Sequence, residues 1–135
     1  MFVDLDRFKY INDTAGHGAG DELLIEVSRR IQSQLRPGDQ IARMGGDEYA
    51  ILLRNVPAEN IAALADSIRT AISNAPFSHA GKTYRITLSI GATAINRTTA
   101  SPEAAMAQAD LACYQSKNGG RARCHVYNPE RDDLA

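Results

Sequence analysis

The stretch QIARMGGDEYAILLR, residues 40–54, sets two strand-like runs on either side of Gly45, Gly46, Asp47 and Glu48. A connection this short returns the chain antiparallel to itself, so a hairpin is predicted here. That hairpin excludes a doubly wound parallel sheet and the dinucleotide crevice that accompanies one. It also puts two acids at a tip built of good turn formers, which taken alone is an ordinary solvated turn.

The remaining pattern supplies the hairpin's neighbours. FVDLD, residues 2–6, alternates Phe2, Asp4 and Asp6 on one face with Val3 and Leu5 on the other, the period of a strand. A polar stretch, KYINDTAGHGAGD at 9–21, leads into a helical stripe of Leu24, Val27, Ile31 and Leu35 that Pro37 and Gly38 terminate. Ile61, Leu64, Ala65, Ile68 and Ile72 mark a second helix, and residues 77–95 read as another hairpin turning near Ala80 and Gly81. Ser101, Pro102 and Glu103 supply an N-cap, a first-turn proline and a first-turn acid for a helix reaching about Lys117, ended by Gly119 and Gly120. CHVY, residues 124–127, is a last short strand before a charged tail. The order β-α-β-β-α-(β)-β-α-β, without a repeat, predicts one α+β domain with helices packed on a sheet.

Charge and cysteine usage narrow the partners. Lys and Arg number 15 against 16 Asp and Glu, a net charge of -1, so no overall field draws the chain to nucleic acid or anionic lipid. Any anionic ligand must be held locally. Cys113 and Cys124 lack CxxC spacing and no secretory leader precedes them, which predicts structural thiols in a reducing, cytoplasmic setting. No apolar run approaches the roughly 20 residues of a membrane span. GHGAGD lacks GxGxxG spacing, and Gly81, Lys82 and Thr83 have Pro76 where a P-loop requires glycine. His17 has no second His or Cys at zinc-ligand spacing and is expected to be structural.

If the first strand lies beside the hairpin, Asp4 comes close to Asp47 and Glu48. Three carboxylates in one small region raise one another's pKa or demand a cation, and Mg²⁺ or Mn²⁺ with oxygen ligands answers that demand. Such sites recur in phosphoryl transfer, where two ions clamp the attacking and leaving oxygens. Gly45 and Gly46, without a Cβ, would let a nucleotide approach the backbone.

Gly45, Gly46, Asp47, Glu48 and Tyr49 resemble the signature of the GGDEF family, the diguanylate cyclases. Other blocks agree with that family in order and spacing: DLDRFKYINDTAGHGAGDELL at 4–24, ARMGGDEY at 42–49, TLSIG at 87–91 and ADLACYQSKNGGR at 109–121. The resemblance spans nearly the whole chain. It implies a ferredoxin-like core related to nucleotide cyclases and polymerase palms, and condensation of two GTP into cyclic di-GMP by a two-fold dimer.

Carried over residue by residue, the resemblance implies that Asp4, Asp47, Glu48 and the Leu5 carbonyl hold two metal ions. Asp47 or Glu48 then helps to deprotonate a ribose 3'-hydroxyl. Asn12 and Asp21 match guanine-reading positions, where a carboxylate can accept from N1–H and the exocyclic amine together. Their ordinary readings are a turn for Asn12 and a helix N-cap for Asp21. Lys9, Lys117, Arg121 and the Phe8 backbone fall where the family contacts the triphosphate. Arg36 and Asp39 match the RxxD product-inhibition site, although RPGD alone is a helix-ending turn. Ser67 stands where some relatives carry a second arginine, with Arg69 two residues on.

Tyr49 replaces the family's usual Phe and adds a hydroxyl that needs a partner if buried. The resemblance also implies a preceding segment with an L-T-G-L-x-N-R-like stretch, which makes residues 1–128 an excised GGDEF domain. Residues 129–135 then form a tail that resembles the junction to a phosphodiesterase EAL domain. Sensor domains and membrane attachment would belong to the parent protein. Two other functions fit the same residues: a GTP-binding module that controls an adjoining EAL domain without turnover, and a cyclic di-GMP receptor working through Arg36 and Asp39.

Overall fold

The computed structural model describes residues 1–132. Their elements run β1 (Phe2–Leu5), α1 (Phe8–Ala15), α2 (His17–Gln32), β2 (Gln40–Gly45), β3 (Glu48–Leu52), α3 (Ile61–Ser73), β4 (Phe77–His79), β5 (Lys82–Tyr84), β6 (Leu88–Ala92), α4 (Pro102–Asn118), β7 (Cys124–Val126) and α5 (Pro129–Asp132). One sheet has the strand order β2-β3-β1-β6-β7. β1 runs antiparallel to both β3 and β6, and β7 adds to β6 in parallel. The first four of these strands, with α2 and α3 in the connections, form the ferredoxin-like core expected from the sequence.

Strand alternation divides the sheet into two unlike faces. Val3 and Leu5 of β1, Tyr49 and Ile51 of β3, and Leu88 and Ile90 of β6 form one core with Leu23, Leu24, Val27 and Ile31 of α2 and Ala65, Ile68 and Ile72 of α3. The opposite face is covered by α4, whose buried residues are small: Ala105, Ala109, Ala112, Cys113 and Ser116. That helix lies so close to β6 that a Cβ on Gly91 would stand 2.0 Å from the Cys113 nitrogen and 2.3 Å from the Ala109 carbonyl oxygen. Ser116 Oγ donates to the Ile90 carbonyl at 2.7 Å, and Ser101 caps the start of α4 by accepting from the Ala104 N–H at 3.0 Å.

Two expectations change. Residues 9–21 are not an irregular connection: α1 occupies most of them and α2 starts at His17, so Asp21 lies inside a helix rather than at its N-cap. Phe8, Ile11 and Ala15 recur at helical spacing in α1, but a stripe this sparse is masked by polar neighbours. The predicted hairpin at 77–95 breaks into a small sheet of its own, β4 with β5, and the separate strand β6. The turn at Ala80 and Gly81 stands, but the long second arm divides, β5 staying with β4 while β6 pairs with the buried β1.

Gly91→Ala should destabilise the fold by about 2–3 kcal/mol, since backbone rather than a yielding side chain blocks the new methyl group. Thermal denaturation should show a melting temperature lower by roughly 5–10 °C.

Candidate active site

The hairpin tip is tighter than its four-residue sequence suggests. Gly45 pairs with Glu48, leaving Gly46 and Asp47 as the turn, with Gly46 at φ 52°. A register shift between Arg43 and Gly45 makes Met44 a bulge, a device that re-aims the end of a strand. Arg43 Nε donates to the Gly46 carbonyl at 3.1 Å, and the Leu5 N–H donates to the Asp47 carbonyl at 3.1 Å. Asp4 lies directly across from Glu48. The three acids therefore gather at one end of β1, as the sequence predicted.

They are not equivalent. Asp4 is only 5% exposed beneath α4, Asp47 is half-buried and Glu48 is exposed. Lys117, on the last turn of α4, makes an ion pair with Asp4 Oδ2. Burial pushes the Asp4 carboxyl above its ordinary range; Lys117 pulls it back and the Asp47 charge pushes it further up. Burial pulls the Lys117 ammonium down, yet the bond and charge of Asp4 outweigh this, so its pKa lies above normal. Cys113 is raised to about 12 by burial and then by Asp4, which leaves it a protonated thiol. A cleft of about 340 Å³ opens here, lined among others by Asp4, Met44, Glu48, Asp110, Tyr114 and Lys117.

The donors fit a hard divalent cation, being carboxylates plus the Leu5 carbonyl. Among the described residues no three acid, His or Cys side chains converge as a ready-made cage. Lys117 is the positive charge that answers Asp4.

The other expected site residues fall into two groups. Phe8 and Lys9 begin α1 directly after β1 and the left-handed Arg7, so the unpaired N–H groups of that first turn stand near the acids' end of the sheet. Asn12 packs on α2 so tightly that a Cβ on Gly20 would lie 1.8 Å from its Oδ1, which places it beside the exposed Asp21. Arg121 follows α4 in a left-handed conformation, φ 62°. His17 is exposed at the start of α2.

Arg36 and Asp39 lie at the other end of the hairpin. Asp39 accepts from the Arg36 N–H at 2.9 Å and the Arg54 N–H at 3.0 Å, and its side chain is 2% exposed. The Arg54 and Arg36 backbone bonds hold its carboxyl below the ordinary value. Arg36 donates to the Arg54 carbonyl and keeps a largely exposed guanidinium. Asp39 thus holds the turn while Arg36 faces outward.

Tyr49, 1% exposed, finds the partner its hydroxyl needs: Oη donates to the Leu24 carbonyl at 2.7 Å, and burial raises its pKa to about 12. Sequence reasoning missed Asp110 and Tyr114, which line the cleft from α4, and gave Asp6 no role. The alternation of FVDLD did put Asp6 on the face of Asp4, the one signal that could have found it.

A family described as "Diguanylate cyclase, GGDEF domain" matches residues 1–123. This chain belongs to the GGDEF family. Its GGDEF domain is 44% identical over 131 residues to the protein named "Probable diguanylate cyclase DgcE" of Escherichia coli (strain K12), covering 97% of this chain and 12% of that protein. The chain therefore spans a small part of that relative. Among solved structures it is similar to the GGDEF domain of TpbB (YfiN) from Pseudomonas aeruginosa, with a TM-score of 0.91, 36% identity, and coverage of 98% of this chain and 77% of that one. It is also similar to the GGDEF domain of DgcB from Caulobacter crescentus in complex with c-di-GMP, with a TM-score of 0.87, 32% identity, and coverage of 93% and 75%. No helix among the described residues of this GGDEF domain is long and apolar enough to cross a membrane.

Asp39 binds its proton less readily folded than unfolded, so its stabilising contribution is present above the ordinary value of 3.8 and is lost as pH falls through the lower folded pKa. Asp39→Asn should therefore lower the urea midpoint at pH 7, and the gap to the parent protein should close progressively below about pH 4.

Proposed function

We propose that this chain is the catalytic domain of a diguanylate cyclase, condensing two GTP into cyclic di-GMP with release of two pyrophosphates. The observation that carries this reading is the meeting of Asp4 and Asp47 with Lys117 at one end of the sheet. Acids suited to a divalent cation and a cation suited to a triphosphate share that corner. Lys9 and the first N–H groups of α1, with Arg121, extend the positive side of the site. Asn12 and Asp21 face the guanine, whose adjacent N1–H and amine donors adenine lacks.

In each transfer the 3'-oxygen of one GTP forms a bond to the α-phosphorus of the other. The bond from that phosphorus to the bridging oxygen breaks, and pyrophosphate leaves with its electron pair. The hydroxyl proton passes to Asp47 or Glu48. Two divalent ions, Mg²⁺ or Mn²⁺, held by Asp4, Asp47, Glu48 and the Leu5 carbonyl, would neutralise the phosphates and stabilise the leaving oxygen. Lys117 and Arg121 hold the triphosphate in line, and Gly45 and Gly46 leave room for it. One GTP per domain requires two domains face to face about a two-fold axis.

Residues 1–128 form the catalytic domain in this reading, and residues 129–135 lead toward a further domain such as an EAL phosphodiesterase. Product inhibition works through Arg36, whose exposed guanidinium suits a phosphate or guanine edge, while Asp39 shapes the turn.

With two copies tethered through a parallel coiled coil, Asp47→Asn should reduce cyclic di-GMP formation by about 10³-fold or more at an unchanged melting temperature. Chromatography and mass measurement of the nucleotides check this; undiminished product removes Asp47 from the reaction. GTP binding without product in the parent protein would instead support a GTP-sensing module. Arg36→Ala should relieve inhibition by added product without slowing the initial rate, read from progress curves.

A further inference from the structure

Asp6 joins three parts of the chain that are far apart in sequence. Its carboxylate accepts from Thr87 Oγ1 at 2.8 Å, Ser89 Oγ at 2.6 Å and the Ala122 N–H at 3.0 Å. Its own N–H donates to the Thr87 carbonyl at 3.0 Å. Asp6 lies between β1, which carries Asp4 and Leu5, and α1, which begins with Phe8 and Lys9. Ala122 lies in the loop between α4 and β7, immediately after Arg121.

That loop is strained. Arg121 has φ 62° and Ala122 φ 49°, two consecutive left-handed residues of which neither is glycine. Each costs free energy in an L-residue and persists only where its surroundings over-determine it. Three bonds hold the pair: the Arg121 N–H donates to the Ser116 carbonyl at 3.0 Å, the Ala122 N–H donates to Asp6 Oδ2, and Arg123 Nε, within the loop itself, donates to the Arg121 carbonyl at 3.2 Å. The first belongs to the end of α4. The second ties the loop to β1, and as a bond to a carboxylate it is among the stronger kind. Fastening β1 to β6 needs only the ladder between them; the bond to Ala122 does something else.

We propose that Asp6 is a positioning residue for the triphosphate: it locks the left-handed loop so that the Arg121 guanidinium stands in fixed register with Lys9 and Lys117. The proposal rests on the reading above in which Arg121 contacts the triphosphate. Loss of Asp6 should therefore weaken the triphosphate chiefly through Arg121 and leave the guanine contacts of Asn12 and Asp21 in place.

A double-mutant cycle tests this. The parent chain, Asp6→Ala, Arg121→Ala and the double variant are titrated calorimetrically with an α,β-methylene analogue of GTP in Mg²⁺, and with GMP. Each single change should weaken the triphosphate about 10-fold, and Asp6→Ala should add no more than about 2-fold in the Arg121→Ala background. GMP affinity should be the same in all four, which a general loosening of the fold would not leave intact. Asp6→Asn, which keeps an acceptor for the Ala122 N–H, should recover most of the affinity. It also replaces Asp6→Ala in the cycle if the melting curve shows that variant unfolded.

Additive losses near 100-fold, or a matching loss of GMP affinity, overturn the proposal while leaving the function reading intact. An Arg121→Ala chain that binds the analogue like the parent overturns the proposal together with the Arg121 contact it rests on, while the reading carried by Asp4, Asp47 and Lys117 is decided by the Asp47→Asn assay.

Discussion

A carboxylate buried in the central strand of a sheet has to be answered by charge, and in this chain the answer comes from the far end of a helix. Asp4 lies on β1 with strands on both sides and α4 above it. Lys117 reaches it only because α4 packs almost in contact with β6, over Gly91 and through a line of alanines. The small residues of α4 are thus electrostatic in their consequence. A bulkier interface would lift Lys117 away and leave Asp4 as an uncompensated buried acid, one of the costlier defects a protein can carry.

The two faces of the sheet divide the labour. One is a conventional apolar core in which α2 and α3 cover Val3, Leu5, Tyr49, Ile51, Leu88 and Ile90. The other is thinner and more polar: Asp4, Glu48 and Ser89 lie there, Ser116 and Cys113 bond β6 carbonyls, and the cleft opens beside them. The cleft and the acids beside it therefore lie on the side of the sheet where the packing is least oily, at the end where β1 stops and the hairpin turns.

Much of this was legible because the signals were local. Alternation in FVDLD, the short GGDE connection and the Ser101-Pro102-Glu103 helix start each state their structure within a few residues. What was illegible depended on distant partners. The polar letters of residues 9–21 hide α1 and the start of α2, whose few apolar residues suffice because the two helices pack on each other. Asp39 resembled a ligand-facing acid, but the N–H of Arg54, fifteen residues away, claims its carboxylate. Asp6 passed as a second polar residue of a strand until Thr87, Ser89 and Ala122 came to it.

Tyr49 links the hairpin to α2 more directly than the sheet does. Its ring is seated in the core below the hairpin tip, and its hydroxyl holds the Leu24 carbonyl of the helix that displays Asp21. A phenylalanine in this place would fill the same space in that core without the bond between hairpin and helix. With the hydroxyl, opening either one breaks a buried bond shared with the other. The hairpin that carries Asp47 and the helix that carries Asp21 thereby share one buried bond.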